Sequence, residues 1–353
     1  MRKPITLMIT DTHLENSNTE LVVDIFKQTI AQALKYKFDT IYHLGDFFDS
    51  RKSQTLAVLE AAREIFEMLE KAGIEMRTIP GNHSKPDYHS EGSYLDIFER
   101  YESLTLVREY GSFMVGDVCL HMIPFFDEKK SYGKYLNRAL DSIEDRKESV
   151  KKDLLLTHIA VDGVRNNDGS EIEDTLSPNR FKAFSRVFCG HYHCKQETGN
   201  VLYIGSAYQR NFGEDADKGL SLLYSNGEVE RISLDFPIFE TVKIDLNSIT
   251  DDELKALTDD RCDTEDRVRF KFSGTKEKLS SLDKGHFNRL GIDVKTEVDD
   301  PLVDLDYAEL SEFEGFDTTS ILEEWDSFTK KHEIHENIAK DGKERITTKF
   351  NEQ

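Results

Sequence analysis

Apolar positions in this chain come in short runs between polar turns, and their period changes from run to run. "ITLMIT" (5–10) is compact and β-branched, the pattern of a buried strand. From Thr19 the period becomes helical, with Val22, Ile25, Phe26, Thr29, Ile30 and Ala33 on one face. "DTIYHLGD" (39–46) reads as the next strand. "SQTLAVLEAAREIFEMLEKAG" (53–73) reads as an amphipathic helix, with Ser53 as N-cap and Gly73 as its stop. "IEMRTIPG" (74–81) supplies a third strand. "GSFMVGDVCLHMIPFF" (111–126), "DLLLTH", "SRVFCGH", "NVLYIGS" and "GLSLLYS" supply more, joined in this later part by connections that look too short for helices. A βαβαβ start running into a β-rich second half predicts an α/β fold, a β-sandwich flanked by helices, over residues 1–240.

The pattern shifts twice beyond this. Residues 241–298 carry "VRFKFSG", a polar helix-like "TKEKLSSLDKGHFNRLG" and "IDVKTEV", and read as a small α+β domain. Between Thr296 and Thr329 there are twelve Asp or Glu and no Lys or Arg, so 299–317 reads as a solvated acidic linker. In the tail, 318–353, Ile321, Leu322, Trp325 and Phe328 fall at helical spacing, followed by Ile334 and Ile338. Such a stripe can dock on a partner or pack back on its own domain. No internal repeat is present.

Composition narrows the options. No run of 18 apolar residues occurs, which excludes a helical membrane span. The N-terminal apolar run ends in Asp11 without a small-residue cleavage site, so it reads as a strand rather than a signal peptide. Cys119, Cys189, Cys194 and Cys262 form no CxxC pair, as expected in a reducing cytoplasm. A formal charge of −22 argues against broad electrostatic adhesion to nucleic acid or anionic lipid. A polyanionic substrate would have to be held locally, by a cation that the protein itself binds.

The ends of the expected strands suggest which cation. They read "DTH" (Asp11, His13), "GDFFD" (Asp46, Asp49), "GNH" (Asn82, His83), "TH" (His158) and "GHYH" (His191, His193). Any one of these is ordinarily a loop polar. Together they place imidazole, carboxylate and amide donors where α/β folds build their sites. A pair of divalent ions needs a bridging carboxylate and N/O donors on either side. Asp46 can bridge, with Asp11, His13 and His193 on one ion and Asn82, His158 and His191 on the other. A thiolate-free imidazole/oxygen set suits manganese, with magnesium, iron or zinc as alternatives. His83 is left beside the ions as general acid or charge stabiliser, and Asp49 orients a ligand or an active-site loop.

In this order and spacing, the motifs resemble the signature of the calcineurin-like metallophosphoesterases, over roughly residues 5–210. "GDFFDSRKSQT", "MIPFF" and "LYIGSAYQRNFGE" resemble in particular the SbcD family of DNA exonuclease subunits, especially its phage recombination-nuclease members. That resemblance implies a two-metal DNA exo- or endonuclease acting in recombination, repair or replication-end processing. It also implies a capping domain at 241–298 and tail helices that bind an SbcC-like ABC-type ATPase through Ile321, Leu322, Trp325 and Phe328. The expected assembly is a cytoplasmic homodimer, in the host cytoplasm if phage-encoded. A small-molecule or nucleotide phosphodiesterase with the same site is the alternative. The sequence departs from the family pattern at Ser84, usually acidic, at Glu15, commonly glycine, and at Asp49, where some relatives carry histidine.

Overall fold

A computed structural model describes residues 2–85, 92–127, 131–146, 150–166, 169–173, 175–262 and 264–298, with Trp325, Thr329, Lys330, Lys340 and Lys343 beyond them. The first half runs β1 (Pro4–Ile9), α1 (Thr19–Tyr36), β2 (Thr40–His43), α2 (Leu56–Ala72), β3 (Glu75–Thr78) and β4 (Leu104–Leu106). It continues through β5 (Gly111–Val115), β6 (Val118–Ile123), α3 (Tyr132–Glu144), β7 (Lys152–Thr157) and β8 (Arg186–Cys189). Then come β9 (Gln196–Thr198), β10 (Val201–Tyr203), β11 (Leu220–Tyr224) and β12 (Val229–Ile232). The last part holds β13 (Phe239–Asp245), α4 (Asp251–Arg261), β14 (Arg267–Gly274), α5 (Lys276–Ser281), α6 (Lys284–Arg289) and β15 (Asp293–Val298).

Two six-stranded sheets, ordered β12-β11-β1-β2-β3-β4 and β5-β6-β7-β8-β10-β9, stack face to face. Strands β1 to β4 run parallel, as do β6, β7, β8 and β10. Along β1, Met8 joins the core between the sheets, whereas Leu7 and Ile9 face the core under α1 and α2. Along β7, Leu154 and Leu156 point between the sheets and Leu155 toward the core with α3. Both faces of these strands are buried, which is why they read in sequence as unbroken apolar runs. The result is an α/β sandwich with helices on its two outer faces, as the sequence predicts.

Three local expectations change. The cap of α2 is Thr55, whose hydroxyl accepts from the Val58 N–H, and Ser53 lies outside the helix. The helix does stop at Gly73, in the left-handed conformation (φ 68°). Segment 111–126 is two antiparallel strands folded about a turn at Gly116 (φ 65°). A helix does fit in the later part: α3 joins β6 to the parallel β7, a crossover that demands one. Its buried face is only Tyr132, Tyr135, Leu136 and Ala139, set among Lys134, Asn137, Arg138 and Asp141, so polar residues mask the helical period.

Residues 1–242, 254–270 and 284–294 form one compact unit, which holds both large sheets. Among the described residues, 243–253, 271–283 and those from 295 onward belong to the second. Strands β13, β14 and β15 make a separate three-stranded sheet, and Val268, Phe270 and Phe272 alternate as the buried face of β14. Ile321, Leu322 and Phe328 lie outside the described residues. Trp325 is helical and half-buried.

Candidate metal centre

The donors predicted from the strand ends all follow the C-terminal ends of parallel strands β1, β2, β3, β7 and β8. The loops after β1 and β2 are laced together, with the Asp11 N–H donating to the Gly45 carbonyl (3.1 Å) and the His13 N–H to the Asp46 carbonyl (2.9 Å). Asp11, His13, Asp46 and His191 all have positive φ (52°, 41°, 54° and 87°). Each such residue costs about 1–3 kcal/mol and persists only where its surroundings hold it, a signature of functional sites. Gly45 (φ 99°) and Gly81 are required by close approach, because a Cβ at Gly45 would meet the His158 ring and one at Gly81 the Asp46 carboxylate.

Asp11, His13 and His193 come together as one buried group. The His193 and His13 Nε2 atoms are 3.2 Å apart, and His13 Nε2 lies 3.8 Å from both Asp11 and Asp46 carboxylate oxygens. Behind them, His13 Nδ1 is 3.1 Å from Asp49 and His193 Nδ1 is 2.8 Å from Glu214. The two Nε2 atoms thus converge beside the Asp11 and Asp46 carboxylates, the donor set of a shared ion once both imidazoles are neutral.

Asp46, His158 and His191 form the other group, with Asn82 between them. His158 Nε2 is 3.1 Å from Asp46 Oδ2 and 3.0 Å from Asn82 Oδ1, and His191 Nδ1 is also 3.0 Å from that amide oxygen. His158 Nδ1 donates to the Leu44 carbonyl at 2.8 Å, so in the neutral ring Nε2 is the atom with a lone pair to offer a cation. Asn82 Oδ1 therefore meets only acceptor atoms. Without a cation the amide would turn over, pointing its nitrogen inward and its oxygen at Arg51. The donor chemistry of both groups fits a divalent ion at each centre, with Asp46 touching both.

The electrostatics point the same way. Burial opposes ionisation of Asp46, yet the field and hydrogen bond of His158 hold its carboxyl well below the usual range. Burial also disfavours charge on His13, but bonds to Asp11 and Asp49 outweigh it and raise the imidazole to about 9. His191 shows the contrast: burial, followed by the charge of His158, pushes it down to about 3. Without an ion, the charge on His13 and His158 is what holds the carboxylates ionised, the part a divalent ion would take over.

His83 lies beside both groups, its ring 4.9 Å from that of His13, and its Nδ1 is 2.5 Å from the Asp49 carbonyl. It is half-buried, and one of its nitrogens lies close enough to His13 and Asp46 to share an ion with them. Asp49 is 2.8 Å from Arg210, whose guanidinium also reaches Glu15 at 3.6 Å. Sequence reasoning missed Glu214, Lys218 and Thr10. Lys218 is buried against Glu214 (3.2 Å), and the Thr10 hydroxyl donates to Asp11 (2.7 Å). None of the three lies in a strand-end His or Asp motif. Cys119, His121 and Asp153 form a further potential ligand group, but Arg146 already supplies its cation, 2.7 Å from Asp153.

The profile of the calcineurin-like phosphoesterases matches residues 6–195, more than half of the chain, and the protein belongs to that family. The family site is a dinuclear metal centre, and the residues above are its candidate ligands here. Among curated proteins the chain is similar to exonuclease subunit 1 of Enterobacteria phage T4, at 30% identity over 204 residues and 55% of each chain. It is also similar to the DNA double-strand break repair protein Mre11 of Sulfurisphaera tokodaii, at 25% identity over 71% of this chain and 68% of that one. For Mre11 of Saccharolobus solfataricus the figures are 26%, 67% and 63%. The match thus spans about half of the phage relative and about two thirds of the archaeal ones. Among the described residues, no helix is long and apolar enough to cross a membrane.

Proposed function

We propose that this chain is the nuclease subunit of a DNA-end-processing assembly, a two-metal phosphodiesterase that works with an SbcC-like ATPase in recombination and repair. The observation that carries the reading is the pair of buried imidazole/oxygen groups joined at Asp46, with His83 alongside. Asp11, His13 and His193 would hold one ion, and Asn82, His158 and His191 the other, with manganese the metal that best suits this set. Bound there, two divalent ions supply Lewis-acid stabilisation of phosphoryl oxygens and a nucleophile at neutral pH. The protein's own part is orientation. Asp49 and Glu214 fix the His13 and His193 rings, and the Asp49 carbonyl fixes His83 so that its other nitrogen can serve the departing oxygen.

DNA as substrate is supported by the similarity to an exonuclease subunit and to double-strand break repair proteins. A net charge of −22 is compatible with this if an ATPase partner grips the duplex and this chain only cuts it. On this reading 241–298 caps the site, 318–353 docks the ATPase, and the assembly is a cytoplasmic homodimer. The test is an assay with manganese on linear duplex DNA and on bis-p-nitrophenyl phosphate, with and without an SbcC-like ATPase. Both substrates should be cleaved, the duplex faster with partner and ATP. Ester cleavage with DNA left intact even beside the partner would move the reading to a nucleotide or small-molecule phosphodiesterase.

A further inference from the structure

Two residues directly after Asn82 and His83 have unmet hydrogen-bonding capacity. Ser84, which stands where the family usually has an acid, is fully buried, and its hydroxyl meets no hydrogen-bond partner among the described residues. Lys85 is 2% exposed. Its ammonium donates to the Phe125 carbonyl at 3.1 Å and lies 4.2 Å from the centre of the Phe126 ring. Burial lowers it to about 8. An ammonium taken out of water with no acidic partner among the described residues is expensive, so its retention calls for a reason.

The reason lies in what Phe125 does. Its N–H donates to the Pro80 carbonyl at 2.9 Å while its carbonyl accepts from Lys85, so the residue is stitched from both sides to the loop that carries Asn82. Its ring stands 6.4 Å from that of His158 and 6.3 Å from that of His191. We propose that Lys85 is a positioning residue for the ion held by Asn82, His158 and His191, acting through the Phe125 wall against which both histidines stand. This rests on the two-ion reading above. Among the described residues no acidic side chain pairs with the ammonium, and its link to the site is the hydrogen bond to the Phe125 carbonyl. The ligands on the Asp11 side are backed by other residues and do not depend on it.

The test is calorimetric titration with manganese alone, together with thermal melting and bis-p-nitrophenyl phosphate kinetics. Wild type should show two binding events. Lys85→Met should weaken one of them by about 10- to 100-fold, the usual effect of losing an outer support of a metal ligand, and leave the other unchanged. Its ester turnover should recover at high manganese. Lys85→Arg, which can still donate to the carbonyl, should titrate like wild type. Phe125→Leu keeps the carbonyl but removes the ring, and should reproduce the Lys85→Met defect. A folded Lys85→Met protein that titrates like wild type, or one that loses both events equally, overturns the inference. If that variant fails to fold, wild-type titration of Phe125→Leu overturns it instead. Wild type with fewer than two binding events would defeat the two-ion reading itself.

Discussion

The two donor groups use the same residue types but are supported differently. On the Asp11 side both imidazoles are backed by carboxylates, His13 by Asp49 and His193 by Glu214, and Arg210 and Lys218 hold those carboxylates in turn. On the Asn82 side, His158 is backed by the Leu44 carbonyl and the Phe125 ring, and His191 stands between the rings of Phe125 and Tyr192. A carboxylate behind an imidazole strengthens it as a donor more than a carbonyl does. The difference teaches that Asp46 joins unequal halves: an ion should bind the Asp11 side first and more tightly, with the Asn82 side the exchangeable position.

Asp46→Ala gives the largest expected effect, because it removes a carboxylate whose Oδ2 lies 3.8 Å from His13 Nε2 in one group and 3.1 Å from His158 Nε2 in the other. Ester hydrolysis should fall to background, and metal analysis should find both ions lost. Two ions still bound to that variant would break the ligand assignment and the comparison with it. His83→Ala should lower turnover by roughly 10²–10⁴-fold while metal content stays near wild type, since a positioned proton donor is lost but no ligand. If an ion leaves with it, His83 is a ligand of the Asp11 side, which its nearness to His13 and Asp46 makes a real contest.

The strand ends were legible because the fold leaves little choice about where the chemistry goes. Parallel strands buried on both faces read as apolar runs, so the donors that interrupt them at Asp11, Asp46, Asn82, His158 and His191 stand out. The supports did not stand out, for a different reason. Glu214 reaches His193 from 21 residues away and Arg210 reaches Asp49 from 161 away, so "LYIGSAYQRNFGE" carries a family resemblance without showing which side chain each of them holds. Helix α3 was hidden because a surface helix needs only one narrow apolar face, here partly tyrosine. Nor does the sequence announce that four non-glycine site residues sit at positive φ, which is set by tertiary packing.

Glu214→Gln sharpens the comparison directly. The amide keeps the size of the side chain but removes the charge behind His193, and it leaves buried Lys218 without its 3.2 Å partner. Affinity for one ion should drop by about 10–100-fold. The tighter manganese event in a titration should move toward the weaker one, so that two separated steps merge. If the weaker step moves instead, the ranking of the two sides is inverted.

Cutting the chain near Gly315 should have the smallest effect on the centre, namely none. Both donor groups, Asp46 and their supports lie between Asp11 and Lys218, within the unit that holds the two large sheets. If Ile321, Leu322, Trp325 and Phe328 instead complete the core of their own domain, the cut protein should melt several degrees lower and lose its well-ordered metal steps. If they dock a partner, it should melt normally, bind manganese in the same two steps and hydrolyse bis-p-nitrophenyl phosphate at the wild-type rate. It should then fail to bind an SbcC-like ATPase and show no ATP-stimulated duplex degradation. Trp325→Ala should reproduce the loss of binding in the full-length chain, because an aromatic anchor at an interface often accounts for about 2 kcal/mol or more. A truncated chain that still co-purifies with the ATPase would show that the partner is held elsewhere, and that the tail's apolar stripe serves the fold.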